Sequence, residues 1–314
     1  MSVVPGSVIG LQTWIWRNNA RSLILLVAFP ALIAAVTWAL AQAFAHTLGD
    51  ATNAFAYGND LFRGALLWVV VAVGVWFLIA VFIQKRAVLA LASAKLVTRE
   101  QAPRLYALVE PLVISRGLPM PGLAIIPSPG LNAFATGWSP AGAVIGVTQG
   151  LLDALDDREL EAVLAHEFTH IINRDTRLLV VSIVFVGVFA LLAELSMRAL
   201  MHARPSSNDR KGAQLILFLI AAAGILWIGR LGAMALRFAL SRKREFLADA
   251  GAVELTKNPD ALVSALEKIA RNPDVPGVVD EVQQMFIFDP KDVWEMFSTH
   301  PTIEDRVAAI RTVT

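Results

Sequence analysis

The residues best placed for chemistry are His166-Glu167-Phe168-Thr169-His170. On an α-helix, positions four apart lie one turn above each other, so both imidazoles point to one place and Glu167 can reach a water held there. That spacing suits a single tetrahedral ion. The chain contains no cysteine, so a metal site must be built from imidazole and carboxylate, a donor set that favours zinc among divalent ions. Two imidazoles leave such a site incomplete. Downstream, Glu245-Phe246-Leu247-Ala248-Asp249 sets two acids four apart on one helix face, where one can ligate while the other supports. The plainer alternatives are a solvated helix face carrying two histidines, and a Glu245 that merely answers Arg242, Lys243 and Arg244.

These side chains need helices to hold them. Asp156 and Glu159 are spaced as a capping pair, and no Gly or Pro occurs from Leu151 through Val186. One helix is therefore expected from near Asp157 through the motif, with nothing to stop it before the apolar run that follows. Asp153, Asp156, Asp157, Glu159 and Glu161 precede the histidines and argue for a site outside hydrocarbon. His170 lies eight residues before that apolar run, about 12 Å on a continuous helix, and Glu245 lies nine residues after Leu236, about 13 Å. Both ligand sets reach a similar height.

Apolar residues make up 56% of the 314 and charged ones 17%, against roughly 45–50% and about 25% in an average soluble domain. Mean hydropathy is +0.59. A formal charge of +1 offers no basic field for nucleic acid. Residues 22 to 45 and 64 to 84 carry no charge and are long enough to cross a bilayer. The first exceeds the core of a cleaved signal, despite small residues at Ala41 and Ala43, and reads as an uncleaved anchor. Two shorter runs, 178 to 193 and 212 to 229, are borderline between a spanning pair and a buried or re-entrant one.

Arg17, Arg21, Lys85, Arg86, Lys95 and Arg99 place both ends of the first pair in the cytoplasm, and with them the later segments. Arg198, Arg204, Arg210 and Lys211 conflict with a spanning second pair, because they too prefer that side. The expected fold is a mainly α membrane protein with an α+β catalytic part. Residues 1–86 form an anchor, and residues 87–314 a catalytic domain interrupted by a helical hairpin at about 178–237. Strand-like segments at 124–126 and 143–148, with a turn-rich stretch from Ser128 to Pro140 between them, predict a sheet of two or three strands.

Five blocks, LNAFATGW at 131–138, TQGLL at 148–152, LEAVLAHEFTHIINRD at 160–175, SRKREFLADAGAV at 241–253 and STHPTIEDRVAAI at 298–310, resemble the HtpX-like family of integral-membrane zinc metallopeptidases. The likeness spans about two thirds of the chain. It implies a gluzincin with one Zn2+ held by His166, His170 and Glu245, Glu167 as general base, and an active site facing the cytoplasm, in a bacterial inner membrane. It also implies polypeptide substrates, unfolded or membrane proteins handled in quality control, and a more distant likeness to CAAX prenyl proteases.

Asp249, Asp175 and Asn173 are candidates to orient the imidazoles, the first two as acceptors for ring N–H groups. The resemblance favours His300 as a site-facing oxyanion donor, against a plain role at the entrance of the last helix. Arg306 is expected to pair with Glu304 or Asp305. Asn132 and the strand at 143–148 are candidates for holding an extended substrate as an added strand, against a turn-forming Asn. The rival to a peptidase is a non-catalytic, zinc-stabilised membrane protein with a binding or chaperone-like role. Glu167 favours catalysis, because a purely structural site usually closes its fourth position with protein.

Overall fold

A computed structural model describes residues 11–49, 51–203, 210–276, 285–287 and 301–313. Four long helices dominate it: α1 (Leu11–Leu48), α2 (Ala54–Leu91), α6 (Asp175–His202) and α7 (Arg210–Thr256). Each contains a stretch long and apolar enough to cross a membrane: Val27–Leu48, Ala54–Ile79, Phe185–His202 and Lys211–Leu236. The borderline second pair thus has the length to span. A bilayer leaves no solvent for stray backbone groups, so these runs satisfy them internally as helix.

Helix α1 packs on α2 and α7, and α7 packs on α6. Phe29 and Phe185 stack at 5.0 Å and, with Phe189 and Ala233, join α1, α6 and α7. Trp38 and Gln42 on α1 both donate to Asn59 Oδ1 on α2, at 3.0 and 3.1 Å, and so fix the first hairpin. Helix α2 runs to Leu91, five residues past the expected end of the anchor.

Outside the spans lie α3 (Pro103–Arg116), α4 (Gln149–Ala154), α5 (Asp157–Ile172), α8 (Pro259–Arg271), α9 (Ile303–Val313) and a sheet. The sheet has four strands, more than expected: β1 (Lys95–Val97), β2 (Gly122–Ile126), β3 (Ala133–Thr136) and β4 (Val144–Thr148), in the order β1-β2-β4-β3. Strand β2 is parallel to β4, while β1 and β3 run antiparallel to their neighbours. β3 lies inside the stretch read as turns. Its AFAT sequence is short and all four residues are buried, so no alternation of polar and apolar residues marks it.

The order also corrects the expected substrate strand. β4 is interior, with β2 and β3 on its two sides, and has no edge to offer. The two edges belong to β1 and β3, and at β3 Phe134 bridges Phe286 and the Ile287 N–H donates to the Ala133 carbonyl at 2.9 Å.

The expected capping box is present: Asp156 accepts from the Glu159 N–H and Glu159 accepts from the Asp156 N–H. The same Glu159 is buried and takes bonds from Ser264 and Lys268 of α8, both at 2.7 Å, which ties the start of α5 to its neighbour. The expectation of one unbroken helix into the membrane is corrected. α5 stops at Ile172, Arg174 turns left-handed (φ 58°), and α6 begins afresh at Asp175.

Helices α5 and α7 carry the two halves of the motif and meet at Gly251 of α7. A β-carbon there would lie 2.5 Å from Thr169 Cγ2 and 2.8 Å from its hydroxyl oxygen. Gly251→Ala should therefore destabilise the protein by about 1–3 kcal/mol through overpacking. Adding Thr169→Ala should restore most of that loss in thermal unfolding of the detergent-solubilised chain. Equal midpoints for wild type and Gly251→Ala would show that the helices can separate freely here.

Candidate metal centre

His166 and His170 project from the last two turns of α5, and Glu245 comes from α7, where it continues the helix past the membrane stretch. His166 and Glu245 are buried and His170 is half-buried. The two Nε2 atoms are 3.2 Å apart, and the Glu245 carboxylate oxygens stand 3.6 Å from each of them. One ligand atom from each of the three residues lies within 4.8 Å of the others.

The opposite ring nitrogens are spoken for. His166 Nδ1 faces Asp249 Oδ1 at 2.9 Å, and His170 Nδ1 faces Asp175 Oδ2 at 3.0 Å. Carboxylates only accept, so each Nδ1 donates, and a neutral ring then turns the bare lone pair of Nε2 inward. Two lone pairs and a carboxylate facing one another repel unless a proton or a metal cation lies between them. Two nitrogens on a tetrahedral zinc, each about 2.0–2.1 Å away, would sit about 3.3–3.4 Å apart. The 3.2 Å observed matches that cradle.

Charge gives the same answer. Among the described residues, Glu167, Glu245, Asp249 and Asp175 are buried together with two guanidiniums, Arg306 and Arg244, so with all four acids ionised and both rings neutral the cluster carries two uncompensated negative charges. Burying net charge is costly, and a divalent ion would balance it. Burial lowers the His166 pKa, but the hydrogen bonds to Asp249 and Glu245 overcome it and lift the ring to about 9. Glu167, sealed in the same cluster, has its carboxyl pushed up by burial and by the Glu245 charge, against the pull of the two histidines and Arg306. Asp249 is held down chiefly by Arg306, against its burial.

The break after α5 has a use. On a continuous helix residue 175 would stand about 140° around the axis from residue 170, out of reach of its ring. The left-handed Arg174 swings Asp175 back onto His170 Nδ1, and Arg244 donates to the Asp175 carbonyl at 3.3 Å.

Other expected residues fall elsewhere. Asn173 caps the end of α5 and lines a cavity of about 50 Å³ with Thr169, Leu247 and Gly251. Asn132 is fully buried; its amide nitrogen donates to the Pro273 carbonyl at 3.0 Å and its side-chain oxygen accepts from the Ala133 N–H. These bonds tie the start of β3 to the segment that follows α8. His300 lies outside the described residues.

The expected pairing of Arg306 with Glu304 or Asp305 is corrected, because its side chain faces inward and grips Asp249 with two bonds, at 2.6 and 2.9 Å. A local signal for this exists in the sequence. Arg306 stands in the stripe Ile303, Arg306, Val307, Ile310, a charge on the apolar face of an amphipathic helix.

Residues 99–314 match the family model described as Peptidase family M48. The chain belongs to that family. It is a membrane-bound metalloprotease of the M48 group, an enzyme that hydrolyses peptide bonds. A protein named Protease HtpX homolog from Bacteroides fragilis is 41% identical over 317 residues, covering 96% of this chain and 98% of that one. A Listeria monocytogenes protein of the same name is 37% identical, covering 84% of this chain and 91% of its own. The solved structure of S. mikatae Ste24p is similar with a TM-score of 0.49 and 18% identity, covering 95% of this chain and 67% of that one.

If the cradle is shared among three side chains, any one of them should matter. His166→Ala, His170→Ala and Glu245→Ala should each weaken zinc binding by at least tenfold in competition with a chelator. Wild-type affinity in Glu245→Ala would remove α7 from the site.

Proposed function

We propose that this M48 peptidase is a zinc-dependent endopeptidase that cuts unfolded or membrane-associated polypeptides at the membrane surface, as a quality-control enzyme of a bacterial inner membrane. The observation that carries the reading is the cradle of buried His166 and Glu245 and half-buried His170, with Glu167 sealed beside it. Zinc in that cradle supplies a Lewis acid that polarises a peptide carbonyl and makes water a better nucleophile at neutral pH.

The chain's own residues do the rest. Asp249 and Asp175 accept from the two Nδ1 atoms, which would leave both Nε2 lone pairs free to hold an ion in the cradle. A Glu167 carboxylate oxygen takes the proton from the attacking water and then passes it to the leaving amine nitrogen. Its raised pKa suits both halves of that transfer, because a base poised nearer neutrality gives the proton back more readily. His300 remains the candidate donor to the developing oxyanion.

The position of the site supports work beside the bilayer. Glu245 follows the end of the Lys211–Leu236 stretch by nine residues on the same helix, about 13 Å of rise. The bases flanking the first hairpin support a cytoplasmic face, by the preference of Arg and Lys for that side.

The test joins metal analysis to cleavage. Glu167→Gln in the full-length protein should retain zinc and lose at least about 100-fold in cleavage of an unfolded protein, the usual scale of general acid–base catalysis. Equal cleavage by the two proteins would reject Glu167 as the base, and zinc-loaded wild type that cleaves nothing would reject the endopeptidase.

A further inference from the structure

We infer that Arg306 is a positioning residue for the metal cradle, acting on His166 through Asp249; the inference rests on the reading of His166, His170 and Glu245 as ligands. Its guanidinium is fully buried, although nothing in its own helix neutralises it. Its donors point in different directions. Nε bonds Asp249 Oδ2 at 2.9 Å and Nη2 bonds Asp249 Oδ1 at 2.6 Å, while Nη1 reaches the Ile287 carbonyl at 3.0 Å.

Oδ1 is also the atom that faces His166 Nδ1, and Arg306 Nη2 lies 3.4 Å from that ring nitrogen. Among the described residues, the Asp249 carboxylate is bonded only by Arg306 and His166. Arg306 therefore sets the plane of the carboxylate, and the carboxylate sets the ring. Nη1 also stands 3.8 Å from Glu245 Oε2, so one cation borders Glu245 as well as Asp249.

Lysine could not copy this. A guanidinium spreads its donors over a rigid plane that takes both carboxylate oxygens and a carbonyl at once, whereas an ammonium concentrates them on one nitrogen. The Ile287 bond has a second effect. Ile287 follows Phe286, which bridges β3, so a single side chain joins the cradle to the sheet edge.

The test uses the full-length protein in detergent, with zinc affinity measured against a chelator, the absorption spectrum of the cobalt-substituted form, and kcat and KM on an unfolded protein. Arg306→Leu and Arg306→Lys should each bind zinc about 10- to 100-fold more weakly and shift the cobalt spectrum, as loss of a group orienting a ligand does. At saturating metal, kcat should fall while KM stays within about twofold, the pattern of a reacting centre misplaced without loss of substrate binding.

Asp249→Asn should give the same loss of zinc affinity, and Arg306→Leu/Asp249→Asn should be no worse than the weaker single variant, because the two residues act in one chain of contacts. Wild-type zinc affinity and an unchanged cobalt spectrum in Arg306→Lys would overturn the inference, as would losses that add in the double variant. Should Arg306→Leu fail to fold by circular dichroism, Arg306→Lys and Asp249→Asn decide. If zinc-loaded wild type cleaves nothing, the endopeptidase reading falls while the zinc arms still judge Arg306.

Discussion

Two imidazole nitrogens 3.2 Å apart, both backed by carboxylates on their far sides, form an arrangement that a protein interior tolerates only with a proton or a metal ion between them. The rest of the site follows from that constraint. Asp249 and Asp175 enforce it from behind by taking the two Nδ1 protons, and Glu245 adds a carboxylate to the same focus. Four buried acids, when ionised, against two buried guanidiniums among the described residues then leave a deficit that a divalent ion would offset. Orientation and charge thus make one demand by independent routes.

Holding that arrangement requires two helices from distant parts of the chain to approach closely and stay in register. Gly251 permits the approach, because any side chain there would strike Thr169. The capping box at Asp156 and Glu159 fixes where α5 begins, and the bonds of Glu159 to Ser264 and Lys268 fix what it rests on. Helix α7 passes from the apolar stretch to Glu245 and Asp249 without a break, so the length of helix beyond that stretch sets the height of α7's share of the candidate ligands. The other half needs a break, the left-handed Arg174, because only a new helix start can aim Asp175 back at His170.

The parts of this arrangement that follow a local rule were legible in the sequence. The spacings of His166, His170, Glu245 and Asp249 are helical periods, the capping pair is a four-residue pattern, and the first two spans are uncharged runs of sufficient length. Whether the second hairpin spans was less clear, because shorter apolar runs with basic flanks satisfy opposing rules. What was missed depends on tertiary placement. β3 is a strand because β4 lies beside it, and its four buried residues show no alternation. The turn at Arg174 has no glycine to announce it. Arg306 was assigned to its sequence neighbours because Asp249 stands 57 residues away, although its place on the apolar stripe of α9 was a signal available in the sequence. Asn132 spends its amide on Pro273, a partner 141 residues distant that no local pattern identifies.

The most direct measurement is X-ray absorption at the zinc edge on the full-length, metal-loaded protein, repeated on Glu245→Ala. Two imidazoles with oxygen neighbours at about 2.0–2.2 Å are predicted in the native protein, with a changed oxygen shell in the variant. A zinc ion surrounded by oxygen alone, or a spectrum indifferent to the loss of Glu245, would contradict the convergence of α5 and α7 on one ion.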